Sequence, residues 1–224
     1  MALFDETSKR RTEGRGITAL VVETLGVVGI VAYTFLGPRD LRGLDIVMLF
    51  VVVSFAAYGT MRTIIRGLMS GVAVYLATGM AASFYPVLTP YSRSFLNVLG
   101  TIGLSAPPGG EVDYSALALS FAVLAVLLWG VLELLFRASF ENTHVSFLGL
   151  MDRVGGAVVY LVIGILVATL AFNTIGYGMA GRPAHDRASL RPEFNRVLEL
   201  YYQGQSFWFP GRPPAIYVYD LDTS

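Results

Sequence analysis

Five apolar stretches, each close to the length that crosses a lipid bilayer, leave this chain little choice of fold. They run over Ile17–Leu36, Leu44–Met61, Gly67–Leu88, Ser115–Phe136 and Met151–Phe172. A bilayer core takes about 20 mostly apolar residues per helix. Inside it every backbone N–H and C=O must be satisfied without water, which helices do within themselves. The expectation is an all-α membrane protein, a bundle of about five transmembrane helices. Composition agrees, because only 14% of the residues are charged, against about 25% in soluble domains. The formal net charge is zero, so the basic footprint of a nucleic-acid-binding protein is absent.

The first stretch follows "SKRRTEGR", the charge pattern of a signal peptide or of a retained anchor. "AYTFLGPRD" offers no small-x-small cleavage site, which favours the anchor. Glu23 lies within it. A mid-membrane acid costs a few kcal/mol unless paired or hydrated, so a helix lying in the interface with Glu23 among headgroups is the alternative. Orientation follows Lys and Arg in short flanks. Lys9, Arg10, Arg11 and Arg15, then Arg62 and Arg66, then Arg137 and Arg153 fall on one side, read as cytoplasmic. The loop from Thr89 to Tyr114 carries only Arg93 and belongs outside. The C-terminal tail then also lies outside, although five arginines between Arg182 and Arg212 pull the other way.

Two segments resemble each other. "GVAVYLATG" (Gly71–Gly79) aligns on "GAVVYLVIG" (Gly156–Gly164) with five of nine positions identical. The preceding helices align as well, "YGTMRTIIR" (Tyr58–Arg66) on "WGVLELLFR" (Trp129–Arg137). Either this is chance within a restricted membrane alphabet, or a helical hairpin has been duplicated and inserted twice the same way. Parallel repeats of that kind are related by an axis along the membrane normal. The core is then four helices made of two repeated hairpins, with the N-terminal helix added. The alignment puts Arg62 and Glu133 at equivalent positions, where they could face each other near the cytoplasmic boundary. The competing partner for Glu133 is Arg137, four residues on in the same helix.

Glycines mark where helices approach closely. Lipid tails are as apolar as leucine, so membrane helices associate through close packing that small residues permit. Gly67, Gly71 and Gly79 share a stripe with Tyr75, and Gly156 and Gly164 share one with Tyr160 and Ala168. Each reads as a contact surface for a neighbouring helix, and less readily as a conduction path lined by backbone. Both tyrosines need a hydroxyl partner at that depth, and a carbonyl exposed by a facing glycine would serve. Asp152 and Arg153 open the last apolar stretch. Asp152 suits the free amides at a helix start, and Arg153 can snorkel to phosphate.

These residues carry a resemblance. "MDRVGGAVVYLVIGILV", with Asp152-Arg153 followed by spaced glycines, resembles the closing helix of the colicin V production protein (CvpA-like) family. "LDIVMLFVVVSFAAYG", starting at Asp45 and passing Ser54, resembles that family's first helix, and Arg66-Gly67 its turn into the second. The likeness covers about Leu44 to Phe172. Tyr160 stands where another glycine is expected, and the acid often found after Arg-Gly is missing. The resemblance implies a bacterial inner-membrane protein linked to toxin (colicin V) production or export and to envelope maintenance. Some relatives anchor an extracytoplasmic serine protease, for which the tail here is too short. The chain divides accordingly into residues 1–43 (cytoplasmic N-terminus and added helix), 44–172 (four-helix core) and 173–224 (extracytoplasmic tail).

In the tail, Leu190, Phe194, Val197, Leu198 and Tyr201 recur at helical spacing, an amphipathic helix suited to the membrane face or the outer loops. "SFWFPGRPPAIYVYDLD" follows, with a short strand-like "AIYVY"; its aromatics suit interfacial anchoring or docking of a partner. "LSAPPGGEVDYS" reads as an exposed connector. There is no cysteine, and His144 and His185 stand far apart with no metal-ligand spacing and no nucleophile motif beside them. No catalytic set, cofactor site or metal site is expected. The boundary charges Asp45, Arg62, Arg66, Glu133, Arg137, Asp152 and Arg153 and the glycine stripes are the candidate functional positions. Three classes of function remain: a CvpA-type membrane protein without its own chemistry, an oligomeric channel or transporter, and an accessory subunit of a larger complex docking through its tail. The partners expected are the lipid bilayer and either further copies or other membrane proteins, with no nucleic acid.

Overall fold

A computed structural model describes residues 2–101, 114–139, 149–178, 181–205 and 207. Among them the chain is helical, with no strand. α1 spans Ala2–Leu36, α2 Gly43–Gly59, α3 Ile64–Thr101, α4 Tyr114–Ser139 and α5 Gly149–Tyr177, followed by a short α6 (Arg182–Asp186) and α7 (Arg191–Gln205). Gly16–Leu36, Ile64–Val98, Tyr114–Ser139 and Met151–Tyr177 are long and apolar enough to cross a membrane. α2 is equally apolar but has 17 residues, the lower limit for a span. The membrane bundle expected from the sequence is the fold, with α2 its short member. The strand-like "AIYVY", most of the Leu104–Ser115 connector and His144 lie outside the described residues.

α3 departs from the reading of a loop beginning at Thr89. It continues to Thr101, through Pro86 and Pro90. A proline removes one N–H from the helical ladder, but packing on α4 outweighs that loss here. Ser120 of α4, fully buried, donates to Ser92 Oγ across 2.8 Å. Thr89 and Ser94 hydroxyls also bond back to the carbonyls of Tyr85 and Pro90, at 3.1 and 3.0 Å.

The helices pack in two extensive pairs, α3 on α4 and α2 on α5, both antiparallel. The short loop after α2 does not make α2 and α3 packing partners, contrary to what its length suggests. A duplicated hairpin inserted twice the same way gives this arrangement, since the pair α2–α5 then maps onto α4–α3. α3 and α5 run side by side in one direction, with Gly67 against Val159 and Gly71 against Ile163. The match is not a pure rotation. Gly71 faces Ile163, seven residues past its sequence counterpart Gly156, so the copies are offset by about 10 Å along the helices.

Glycine permits the closest approaches. A Cβ on Gly156 would lie 2.5 Å from the carbonyl oxygens of Gly59 and Arg62, and one on Gly164 would lie 2.7 Å from Phe55 Cβ. Gly156 and Gly164 therefore seat α2, whereas Gly67 and Gly71 seat α5. Gly79 is buried within α3. The core is otherwise built from small side chains: Ala73, Ala77 and Ala81, each one turn apart on α3, are fully buried. α1, by contrast, packs mainly on α2 and leaves Leu20, Leu25 and Val28 exposed.

α7 is amphipathic, as its spacing indicates, and it turns its apolar face to the bundle. Phe194, Leu198 and Tyr201 are buried against the bundle. Phe194 stacks on Phe172 at 4.7 Å between centroids, while Leu198 joins Tyr85, Phe121 and Leu170 in one apolar cluster. Its last turn reaches the middle of α3. Gln205 Nε2 donates to the Tyr75 carbonyl at 2.9 Å and lies within 3.1 Å of the Thr78 and Tyr201 hydroxyls.

Candidate functional site

One end of the bundle, where α2 and α4 end and α3 and α5 begin, collects the charged residues singled out in the sequence, except Asp45, which lies at the other end, in the first turn of α2. Arg137 Nε donates to Glu133 at 3.3 Å, one turn away in α4. Arg62 donates to the Tyr58 hydroxyl and sits 4.7 Å over that ring's centroid. The cross-repeat pair of Arg62 with Glu133 is thus not formed; the within-helix pair, whose i,i+4 spacing brings the two groups together in any helix, takes its place. Arg66 lines a small 20 Å³ cavity with Glu133 and Arg137. Arg153 is half-buried.

Asp152 does not cap its helix. α5 begins three residues earlier, at Gly149, so the free amides of its first turn lie behind the aspartate. Asp152 is 2% exposed and neither carboxyl oxygen has a hydrogen-bond partner. Asp45 is the aspartate that caps. It stands at the third position of α2, fully buried, and accepts from the Arg42 amide at 2.9 Å. It also accepts from the amides of Ser189 and Leu190, at 2.9 and 3.1 Å, which hold the start of α7 to α2. Beside it Arg39 pairs with Glu193, and that guanidinium hydrogen bond holds the Glu193 carboxyl below the usual carboxylate range.

Of the two tyrosines of the glycine stripes, Tyr75 donates to the Gly204 carbonyl of α7 at 2.8 Å. Tyr160 stands edge-on to Tyr58, 5.3 Å between centroids. His185 is fully buried, its ring 4.5 Å from Phe172 and set against Gly176.

Between α4 and the α2–α5 pair lies a slot floored by α3. α2 and α4 meet little beyond Phe55 and Trp129, and this gap opens it. Its first part, about 310 Å³, lies near the charged end and is lined by Ser54, Tyr58, Ser70, Tyr160, Glu133 and Arg137, with Phe55 and Trp129. Its second part, about 240 Å³, runs along α4 and α5 past Phe121, Ala125, Val167 and Leu170, and only Thr78 and Thr174 are polar there. Trp129 lines both parts. Phe55 stacks on its ring, 6.1 Å between centroids, yet its buried indole N–H has no partner.

Sequence reasoning assigned the charges to the boundary but missed Trp129, Ser54 and Ser70 as one lining, because they come from three helices. It also missed Gln205, although that residue extends the buried spacing of Phe194, Leu198 and Tyr201 by four. Among the described residues no cluster of His, Asp and Glu is gathered that could hold a metal ion. What the site offers is a surface for binding, polar at one end and apolar along the rest.

Neither the curated proteins nor the solved structures give a match to the chain. A family model described as "Colicin V production protein" matches residues 44–196, from the first turn of α2 into α7. The matched region holds Asp45, the Arg66-Gly67 turn, the Asp152-Arg153 pair and every helix that lines the slot, and the family is not a known enzyme family. With well over half of its residues matched, the chain belongs to the colicin V production protein family.

Proposed function

We propose that this chain is a non-enzymatic protein of the bacterial inner membrane that acts in colicin V production or export, or in envelope maintenance. The family match over residues 44–196 carries the reading. Its working surface is one of binding, with the bilayer and either further copies or other membrane proteins as partners. Arginines at the α2–α3 and α4–α5 ends favour a cytoplasmic position for that end, with the tail on the extracytoplasmic side. A conduction path within one copy gains little support, since the deeper part of the slot carries only two threonine hydroxyls among apolar residues. The test is deletion of the gene in its host, with toxin release and survival under detergent stress on the envelope measured before and after complementation by the full chain. Loss of either phenotype and its rescue are expected. A deletion strain matching its parent in both would sink the reading.

A further inference from the structure

We infer that the slot between α4 and the α2–α5 pair is a binding site for an anionic phospholipid of the surrounding bilayer, one acyl chain lying in its apolar part and the phosphate at its arginine end. The inference stands apart from the role in toxin release or envelope upkeep, because it concerns what the slot binds in any membrane.

Three observations lead there. The slot opens sideways, toward lipid: Val126 on its edge is 64% exposed, and Arg137 at its mouth is half-exposed. Its polarity is graded along one axis. Among the described residues that line its boundary end, Arg66 and Arg137 outnumber the acid Glu133, and Arg62 stands beside the lining residue Tyr58, while the apolar lining begins about two turns, roughly 12 Å, deeper along α4. The third observation is the indole of Trp129, which stands where the two parts meet and presents a buried N–H with no partner in the protein. A buried donor without an acceptor is costly, and an oxygen of a bound lipid would supply one.

The dimensions exclude the other apolar occupant of a bilayer, a second helix. A helix with its side chains is 10–12 Å across, whereas the two parts hold about 310 and 240 Å³, the range of a small-molecule pocket. Charge decides the headgroup. A zwitterionic lipid brings its own cation, which Arg66 and Arg137 repel, whereas phosphatidylglycerol brings only the anion.

The experiment uses the full chain carrying Trp208→Phe, which leaves Trp129 as the one tryptophan. It is reconstituted into phosphatidylcholine vesicles holding a small fraction of phosphatidylglycerol brominated on its acyl chains, and Trp129 fluorescence is read. Saturable quenching is expected at mole fractions too low for random contact, reversed by unlabelled phosphatidylglycerol and weaker with brominated phosphatidylcholine. Arg137→Gln should weaken the phosphatidylglycerol effect roughly fivefold, the value of one basic group against an anionic lipid. Ala125→Phe, and independently Ala122→Leu, fill the apolar part and should abolish the saturable component. Helical circular dichroism identifies which of these variants are folded, and retained quenching in either folded filling variant overturns the proposal. Quenching that follows mole fraction alike for both lipids overturns it too, as does protection of Trp129 by a second copy of the chain.

Discussion

Two aspartates near helix starts have opposite situations, and their positions in the helix differ by a single residue. Asp45 sits at the third position of α2 and gathers three amides, two of them from Ser189 and Leu190, 144 and 145 residues away. Asp152 sits one position deeper in α5 and gathers none. Both were legible in the sequence as helix-start acids. Which of them caps was not, because that depends on where each helix begins and on a tail folded back from far along the chain. Asp45→Ala leaves those amides unpaired, and hydrogen bonds to a charged group are worth ~1.5–3 kcal/mol each. It should free the tail to protease in detergent and lower the melting temperature sharply. Asp152→Asn should do the reverse and raise the melting temperature, since a buried carboxylate without partners costs more than a buried amide. A drop in that variant would mean the carboxylate has a partner the structure lacks. Glu193 differs from both, being exposed and paired with Arg39. Its carboxyl titrates below the ordinary 4.5 because Arg39 hydrogen-bonds it. The pair's contribution is therefore full above that value and lost as pH falls below it. Exposure keeps it small. Glu193→Gln should flatten the acid limb of tail protection while barely changing it at neutral pH.

At the scale of helices, spacing told the existence of the five apolar helices and of α7 but not of α6, and glycine told most of the contact faces. What it could not tell was the partner. Gly156 and Gly164 read as one stripe, yet the structure seats α2 on it, while Gly67 and Gly71 seat α5. A helix surface states that something comes close; the bundle decides what. Gly156→Val places a branched side chain where only backbone fits, 2.5 Å from two carbonyl oxygens. Overpacking of this kind costs ~1–3 kcal/mol, and the α2–α5 pair should loosen, read as a lower melting temperature in mild detergent. Gly130→Ala on exposed α4, with nothing within 4 Å, is the matched control and should be neutral. The extension of α3 past its prolines was hidden for a similar reason. Local chemistry argues for a break at Pro86 and Pro90, and the contact that overrides it, Ser92 with Ser120, spans two helices. The cysteine-free chain makes this easy to examine. A Ser92→Cys, Ser120→Cys double variant should form an intramolecular disulfide under mild oxidant, seen as faster migration on non-reducing gels.

For the whole molecule, burial rather than length decides which elements the fold depends on. α1 is the second-longest helix, yet only 6% of its apolar window is buried, and it rests mainly on α2. α7 has 15 residues of modest hydropathy, yet it joins both large apolar clusters through Phe194 and Leu198. It also sends Gln205 to the backbone of α3. The sequence makes α1 look like part of the bundle and the tail look like an appendage, because hydropathy measures affinity for lipid and says nothing of affinity for protein. In a bilayer those are different quantities, since an apolar surface gains nothing by leaving lipid for protein unless it packs better there. The two helices can be tested in the same way by inserting a protease site and cutting the purified protein. Cutting after Gly37 should release α1 on size-exclusion chromatography and shift the melting temperature of the remainder by no more than about 2–4 °C, the equivalent of roughly 1 kcal/mol. Cutting between Gly178 and Gly181 should leave α6 and α7 bound without a covalent link, held by Asp45 at one end and by Tyr75 and Thr78 at the other. If the tail fragment leaves the column separately while α1 stays, the order of dependence is reversed, and the tail is a surface addition after all.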